Sequence, residues 1–337
     1  MNTQELSNTA KAMVAGDKGL LAMDESNSTC NKRFAKLGIP QTVEARRDYR
    51  DLIVSAPGLG DSISGAILSD ETIRQQKEDG TRFVDVLKAA GIIPGIKVDA
   101  GAKDLALHPN EKITEGLDGL RERLTQYRQL GARFAKWRAV ITIGDGIPSR
   151  ACIESNADAL ARYAALCQEA GIVPIVEPEV LMDGQHTLAR CFGVTGAALR
   201  SVFQQLSLQG VALEGMILKP NMVLPALDCP RQESVEEVAD ATITCLLRNV
   251  PAAVPGVAFL SGGQSAQLAS ARLNAMNQRF KSRLPWAVAF SYARAIQQPA
   301  LELWHGDESK VRAAQQALVY RANCNRLARR GEYEGER

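Results

Sequence analysis

The sequence predicts an α/β protein folded as a single-domain (β/α)8 barrel of the TIM type. Short apolar segments typical of strands occur eight times along the 337 residues, and polar segments with helical periodicity separate them. Strands that alternate with helices favour parallel βαβ units, and eight such units favour a closed barrel. An open, doubly wound sheet is the alternative. It is disfavoured because residues 23–26 follow the first strand without the glycine-rich turn of dinucleotide-binding sheets.

The predicted elements follow one another without an obvious domain boundary. The strands are expected at residues 19–25, 63–69, 92–100, 134–144, 172–181, 215–223, 256–261 and 286–292. Helices are expected, among other places, at residues 3–15, 42–55, 116–131, 156–171, 233–249 and 266–280. No Pro/Ser-rich linker or low-complexity stretch divides the chain. We therefore expect one domain over residues 1–337, with a short C-terminal tail from about residue 331.

Composition excludes several classes of protein. Apolar residues make up 45% of the chain and charged residues 23%, as in an ordinary globular protein with a large core. The formal net charge of +2 gives no general affinity for nucleic acid or for an anionic membrane. The first nineteen residues do not form a signal peptide, and no later apolar run approaches the roughly 18 residues of a membrane span.

The cysteines indicate a reducing compartment. The chain has seven, an odd number, and they lie far apart at positions 30, 152, 167, 191, 229, 245 and 324. This spacing fits neither a disulfide framework nor a zinc ribbon. We therefore predict a cytoplasmic protein.

One lysine at the end of an apolar strand is the first candidate for chemistry. Residues 215–218 are apolar, and Pro220 restricts Lys219 to an extended conformation. Pro220 itself has no N–H to donate to a sheet ladder, so the strand should end at the lysine. Burial of Lys219, or a neighbouring cation, would favour the free amine that attacks carbonyl groups. The alternative is an ordinary lysine whose ammonium group reaches water past an apolar wall.

Charged residues spaced two apart recur at other strand ends. Side chains two residues apart on a strand point the same way, so each pair should face the same side of the barrel wall. The pairs are Lys97 with Asp99, Lys136 with Arg138, Glu177 with Glu179, and Lys219 with Asn221, and Asp24 lies at the end of the first strand. Active sites of such barrels lie at the carboxyl ends of the strands, and mixed charges there separate acids from bases.

A phosphate-binding signal follows the seventh strand. Ser261, Gly262 and Gly263 precede a helix, so backbone N–H groups, a hydroxyl and a helix N-terminus converge. Ser291 and Arg294 after the eighth strand would add a hydroxyl and a guanidinium group to the same anion. Lys32, Arg33 and Lys97 form a second basic group, although the first two alone would more often be solvated loop charges.

Together these segments resemble class I fructose-1,6-bisphosphate aldolases over nearly the whole chain, to about residue 333. The resemblance is carried by residues 21–26, 95–99, 134–138, 172–179, 218–222 and 259–265. It implies reversible cleavage of fructose 1,6-bisphosphate to dihydroxyacetone phosphate and glyceraldehyde 3-phosphate, in glycolysis and gluconeogenesis. It also implies sugar phosphates as ligands, no cofactor or metal, and a homotetramer.

The resemblance also implies a role for each candidate residue. Lys219 would form the Schiff base, Glu179 and Lys136 would assist carbinolamine formation and dehydration, and Asp24 and Glu177 would transfer protons. Lys136 is further expected to favour the free amine of Lys219 as a neighbouring cation. Ser261, Gly262, Gly263, Ser291 and Arg294 would bind the phosphate next to the ketone. Residues on the path of the other phosphate would be Ser26, Thr29, Lys32, Arg33, Lys97 and Arg138.

The chain departs from the family pattern at three places. Thr29 stands where the family has serine, which retains the hydroxyl, and Ala293 stands where it has glycine. The family's long C-terminal tail ending in tyrosine is missing, so a group of the barrel, Glu177 or bound phosphate, is expected to protonate the enamine.

Two other functions fit the sequence less well. A metal-dependent aldolase needs a histidine-rich site, but the three histidines have no ligand spacing. A non-catalytic barrel used as a scaffold would lose its site charges, and here they are present. The sequence leaves open the preference among fructose 1,6-bisphosphate, fructose 1-phosphate and sedoheptulose 1,7-bisphosphate.

Overall fold

The computed structural model describes residues 3–335, and parallel strands form its centre. The strands are β1 Gly19–Met23, β2 Ile63–Leu68, β3 Ile93–Lys97, β4 Ala102–Asp104, β5 Lys112–Thr114, β6 Phe134–Ile141, β7 Val173–Val180, β8 Ile217–Leu218, β9 Gly256–Phe259 and β10 Ala287–Tyr292. Strands β4 and β5 pair with each other as an antiparallel hairpin. The other eight close into a barrel in the order β1, β2, β3, β6, β7, β8, β9, β10 and back to β1. This closed ring confirms the predicted (β/α)8 barrel and excludes the doubly wound sheet.

Helices alternate with the barrel strands. They are α1 Thr3–Met13, α2 Asn27–Ala35, α3 Val43–Val54, α4 Asp70–Arg74, α5 Phe83–Ala89, α6 Leu120–Leu130, α7 Arg150–Glu169, α8 Leu188–Leu208, α9 Val235–Asn249, α10 Ala266–Phe280, α11 Arg294–Trp304 and α12 Val311–Arg330. Side chains of Ser or Thr cap the N-termini of several of them; Ser265, for example, accepts a hydrogen bond from the N–H of Leu268 at 3.2 Å. Each of these caps fixes the residue at which the preceding loop ends and the helix begins.

The barrel interior changes from apolar to charged along the strands. On β7 the inward positions run from Val173 and Ile175, which belong to a buried apolar cluster, to Glu177. On β8 Ile217 belongs to the same cluster, and Lys219 follows two residues later. Helix α1 packs into this cluster as well. Because side chains alternate along a strand, the same spacing that fills the amino end of the barrel with apolar groups presents charges at its carboxyl end.

Strand β8 is short for a physical reason. The N–H of Lys219 still donates to Val176 O at 2.8 Å, but Pro220 has no N–H to continue the ladder. Pro220 only accepts a bond from Leu260, at 3.2 Å. The backbone therefore leaves the sheet directly after the lysine.

The last helix ends where the tail was expected to begin. Gly331 caps α12 with a left-handed backbone, and residues 331–335 are not helical. Residues 336 and 337 of the predicted tail lie outside the described residues. None of the helices between residues 3 and 335 combines the length and the apolar character that a membrane span requires.

Candidate active site

A cavity of about 430 Å³ lies at the carboxyl ends of the strands, and most of the predicted site residues line it. From the prediction it contains Asp24, Lys136, Arg138, Glu177, Glu179, Lys219, Ser261, Gly262, Gly263, Ser291 and Arg294. These residues come from strand ends and loops that are distant in sequence. The fold therefore brings the charged group and the predicted phosphate loop into one space.

Lys219 is buried at the base of this cavity. Only 3% of the residue is exposed, and its Nζ lies 3.1 Å from Glu177 Oε1. An ammonium group that leaves water is stable only beside an anion, and Glu177 supplies that anion. The same carboxylate can take the proton that Lys219 must lose before it attacks a carbonyl.

Lys136 lies between two carboxylates. Its Nζ is 2.7 Å from Asp24 Oδ2 and 3.4 Å from Glu177 Oε2. Burial opposes its charged form, but Asp24 and Glu177 outweigh burial and raise the pKa of Lys136 above its ordinary value. Burial likewise opposes ionisation of Asp24, but Lys136 and Lys219 outweigh it and hold the pKa of Asp24 below its ordinary value. The site therefore keeps an ammonium and a carboxylate fixed next to each other.

The second oxygen of Glu177 is an open acceptor. Glu177 Oε2 is buried and, among the described residues, accepts no hydrogen bond, because its 3.4 Å contact with Lys136 is an ion pair only. Buried carboxylate oxygens are normally hydrogen-bonded. Since Glu177 lines the cavity, this oxygen can accept a hydroxyl group or a proton from a bound molecule.

Glu179 is held by a different partner. Arg138 Nε donates to Glu179 Oε2 in a short contact, and 43% of the Arg138 side chain is exposed. Burial opposes the charge of Arg138, but Glu179 outweighs it and raises the pKa of Arg138. The structure thus brings Glu177, rather than Glu179, against the amino group of Lys219.

The predicted phosphate loop has the expected backbone. Gly262 and Gly263 have positive φ angles of 59° and 96°, a conformation that glycine adopts without strain. The loop ends at Ser265, the cap of α10. Ser291 is 1% exposed, lines the cavity, and its hydroxyl has no hydrogen-bond partner among residues 3–335. Arg294 starts α11 and lines the same cavity. Glycine backbone, an open hydroxyl and a guanidinium group therefore surround one space suited to an anion.

Ala293 fits without the freedom of a glycine. Its φ is −104°, at the N-terminus of α11, and it lines the cavity. This φ lies outside the left-handed region that favours glycine. The backbone at this position therefore does not require the glycine that the family pattern has.

Three predicted residues lie on or before α2, outside the cavity wall. The hydroxyl of Ser26 accepts the N–H of Thr29 at 3.3 Å and lies 3.0 Å from the Thr29 hydroxyl. The Ser26 hydroxyl thus caps α2, and the Thr29 hydroxyl contacts this cap. Lys32 is exposed on the same helix.

The other two predicted cations are paired with carboxylates near the mouth. Arg33 Nη1 donates to Glu25 Oε1 at 2.6 Å, and Arg50, from α3, contacts the other oxygen of Glu25 at 2.9 Å. Lys97 Nζ lies 2.9 Å from Asp99 Oδ1. Arg33 is therefore directed towards Glu25 in this structure, and it does not line the cavity.

The pairing of Lys219 with Asn221 as two site-facing residues is wrong. Asn221 is 4% exposed, its Oδ1 accepts from the N–H of Val180 at 3.0 Å, and its Nδ2 donates to Thr195 Oγ1 at 3.1 Å. The chain leaves the sheet after Pro220, so the alternation of strand side chains stops there. Asn221 instead joins the loop after β8 to β7 and α8.

Sequence reasoning missed the rim of the cavity. It includes Met182, Asp183 and Leu227, and Leu227 N–H donates to Met182 O at 2.8 Å, which joins the loops after β7 and β8. The available signal was position: Met182 and Asp183 follow the glutamates of β7 within a few residues.

Comparison with known proteins identifies the family. The sequence model of the glycolytic family "Fructose-bisphosphate aldolase class-I" matches residues 5–337. The chain belongs to this family.

Known class I aldolases resemble the chain over almost its whole length. The probable fructose-bisphosphate aldolase class 1 of Xanthomonas axonopodis pv. citri is 56% identical over 336 residues, covering 99% of this chain and all of that protein. Fructose-bisphosphate aldolase 3, chloroplastic, of Arabidopsis thaliana is 49% identical, covering 99% of this chain and 84% of that protein. The Plasmodium falciparum fructose-bisphosphate aldolase, solved with TRAP and a small-molecule inhibitor, superimposes with a TM-score of 0.97 at 46% identity, over 99% of this chain and 96% of that one.

These matches confirm the predicted activity. The chain is a class I fructose-bisphosphate aldolase, a lyase, and the metal-dependent and scaffold alternatives are not supported. Among residues 3–335 no group of three or more His, Cys, Asp and Glu side chains could hold a metal ion.

Proposed function

We propose that this aldolase cleaves fructose 1,6-bisphosphate through an imine on Lys219. The observation that carries the proposal is the buried ion pair of Lys219 and Glu177, which opens into the cavity at the mouth of the barrel. A lysine imine accepts the electron pair released when a ketose loses its C3–C4 bond, which is the chemistry this reaction needs.

The proton of Lys219 goes first to Glu177, 3.1 Å away. The free amine then attacks C2 of the ketose. Glu177 returns its proton to the carbinolamine hydroxyl, which leaves as water and gives the iminium ion, so that Glu177 is ionised again. Lys136, charged between Asp24 and Glu177, can donate a hydrogen bond to the departing oxygen. Glu179 acts indirectly in this scheme, because its carboxylate neutralises the charge of Arg138 at the mouth of the cavity.

Carbon–carbon cleavage then needs a base for the C4 hydroxyl. Either Asp24 or the open oxygen of Glu177 can accept this proton, and we assign it to Glu177 because its Oε2 has no donor among the described residues. The C3–C4 electron pair moves to the iminium ion, the enamine forms on Lys219 and glyceraldehyde 3-phosphate leaves. Glu177 then gives the proton from the C4 hydroxyl to C3 of the enamine, and hydrolysis of the resulting imine by water releases dihydroxyacetone phosphate and restores the lysine.

Two anion sites would position the bisphosphate. The ketone-side phosphate is assigned to Ser261, Gly262, Gly263, Ser291 and Arg294, which is supported by the open hydroxyl of Ser291. The other phosphate is assigned to the mouth formed by Arg138, Lys97 and the start of α2, including Ser26, Thr29, Lys32 and Arg33. Fixing both ends keeps C2 near Lys219, and such positioning can contribute several kcal/mol.

We further propose a cytoplasmic homotetramer that acts in glycolysis and gluconeogenesis. All seven cysteines are unpaired and buried, as expected for a reducing compartment. Closed symmetric assemblies are common among soluble enzymes.

Borohydride trapping tests the proposal. Dihydroxyacetone phosphate with borohydride should inactivate the enzyme irreversibly and add the mass of the reduced ligand to the peptide that contains Lys219. The variant Lys219→Met should fold, take up no label and lose turnover by about a thousandfold or more. Label on Lys97 or Lys136 instead would overturn the assignment of Lys219.

A further inference from the structure

Behind the phosphate loop lies a buried cation without a carboxylate partner. Arg272 on α10 is 4% exposed, and among residues 3–335 no carboxylate pairs with it. Its Nε is buried and donates to no acceptor in that range, while Nη1 donates to Gln264 Oε1 at 2.8 Å. A buried charge that is not neutralised is costly, so its presence calls for an explanation.

Arg272 differs in this respect from the buried cations of the catalytic cluster. Lys136 and Lys219 each lie within 3.1 Å of a carboxylate oxygen. Arg50, 3% exposed, has Glu25. Burial lowers the pKa of Arg272 to about 10, so that the guanidinium group still carries its charge at neutral pH.

One side chain connects Arg272 to the phosphate loop. Gln264, whose Oε1 accepts from Arg272, donates its Nε2 to Ser261 O at 2.9 Å, and its own N–H donates to the same oxygen at 3.1 Å. Ser261 and the two glycines that follow line the cavity. Arg272 therefore holds the loop from behind, on the side away from the cavity.

We propose that Arg272 is a positioning residue for the ketone-side phosphate. This inference rests on the phosphate site proposed above. Through Gln264 it fixes the loop of Ser261 to Gly263, and its charge attracts the dianion from beneath the loop. The bound phosphate is then the anion that the buried guanidinium group lacks in the free enzyme. No carboxylate of the described residues neutralises this charge, so it remains available to an anion at the loop.

Arg321 supports the same surface from the last helix. Its Nη2 donates to Ala266 O at 3.0 Å and to Ser270 Oγ at 2.9 Å, and its Nε donates to Ala295 O at 3.3 Å. It thus ties together the first turns of α10 and α11, the two helices whose N-termini adjoin the anion site. Arg272 is the residue to substitute, because it contacts Gln264, which binds Ser261 of the loop.

The test compares the affinity for inorganic phosphate, measured by calorimetry, with the melting temperature of the free protein. Arg272→Met should raise the Kd for phosphate at least about tenfold and shrink the increase in melting temperature that phosphate produces. The free protein should lose little stability, because an unneutralised buried charge has been removed. An unchanged Kd would overturn the proposal.

Arg329→Met is the matched control. Arg329 is 2% exposed and donates to the carbonyl groups of Val288 at 3.1 Å, Val14 at 3.2 Å and Lys18, at the opposite end of the barrel. Burial lowers its pKa to about 10 as well. This variant should lose stability, because three backbone carbonyl groups lose their donor, and it should keep the Kd for phosphate. A rise in Kd equal to that of Arg272→Met would mean that loss of either buried arginine weakens phosphate binding, and it would overturn the proposal.

Arg272→Lys gives a second measurement that does not depend on whether the methionine variant folds. A buried lysine loses its proton at lower pH than a buried arginine. Phosphate affinity of this variant should therefore fall, relative to wild type, as pH rises above about 8, whereas parallel pH profiles would contradict a role of the charge.

Arg294→Ala separates the inference from the function on which it rests. If phosphate binding is weaker in Arg294→Ala but unchanged in Arg272→Met, only the role of Arg272 is overturned. No loss in either variant would overturn the phosphate site itself.

Discussion

The cavity has two ends that treat charge in opposite ways. At the catalytic end each buried ammonium has a carboxylate, as Lys136 has Asp24 and Lys219 has Glu177. At the phosphate end the hydroxyl of Ser291 has no partner, and Arg272 behind the loop has no carboxylate, among the described residues. At one end every buried ammonium is neutralised by a carboxylate, and the other end presents donors without acceptors.

The difference follows from what each end has to do. Proton transfer requires an acid and a base in contact, and opposite charges that stabilise each other allow both to be buried. Anion binding requires donors that are not already occupied, so that the ligand completes their hydrogen bonds. Open donors cost stability in the free protein, and a ligand that completes their hydrogen bonds offsets this cost.

After Lys219 itself, the largest effect should come from the carboxylate that contacts both lysines at the catalytic end. Glu177→Gln removes the acceptor for the proton of Lys219 and should lower kcat by about a hundredfold or more. Single-turnover measurement of imine formation with dihydroxyacetone phosphate checks it. Glu179→Gln is the matched control, because its partner is Arg138, and its loss of kcat should be smaller. Equal losses would mean that both glutamates act on the amine.

At the phosphate end the effect should appear in binding. Arg294→Ala should weaken dihydroxyacetone phosphate about ten- to a hundredfold, since a hydrogen bond to a charged group is worth about 1.5–3 kcal/mol. Glyceraldehyde 3-phosphate should lose less affinity, because its phosphate is assigned to the other site. Inhibition constants for both triose phosphates check this, and equal losses would contradict the assignment of Arg294 to the ketone-side phosphate.

The two ends were not equally readable from the sequence. The phosphate loop is local: consecutive glycines and the cap Ser265 lie next to each other, and α10 Ala266–Phe280 has the predicted bounds. Charge pairing at the catalytic end is not local. Whether Glu177 or Glu179 reaches Lys219 depends on strand register and on the capture of Glu179 by Arg138, neither of which sequence spacing reveals.

Other differences have equally specific causes. The strand predicted at residues 215–223 forms ladder pairs only over Ile217–Leu218, because Pro220 ends donation and the chain turns away. The hairpin of β4 and β5 was not predicted, since strands of only three residues, one exposed and one partly buried, are too short to show an apolar pattern. Arg272 gave no signal, because a single arginine on a helix is usually solvated.

Acid should remove the ion pairs that distinguish the catalytic end, because it protonates the carboxylates there. The pKa of folded Asp24 lies below its ordinary value, so its contribution to stability is present above the unfolded pKa of about 3.9 and is lost as pH falls through the folded pKa. Asp24→Asn should therefore be less stable than wild type at neutral pH, and the gap should narrow below about pH 4. Urea unfolding at several pH values checks it; a constant gap would mean that Asp24 contributes through packing.

The smallest effect is expected at Ala293, where the phosphate end departs from the family pattern. Its φ of −104° suits alanine as well as glycine, so Ala293→Gly should leave the backbone of the first turn of α11 in place. The affinity for dihydroxyacetone phosphate should change less than about twofold, or about 0.4 kcal/mol. Calorimetry on the variant, with Arg294→Ala as the weakened reference, resolves such a difference. A gain of tenfold or more would show that the methyl group keeps the phosphate away from the N-terminus of α11. The donors without acceptors at the phosphate end would then be only partly accessible to the phosphate. The two ends would differ in how closely the ligand can approach them as well as in their charge.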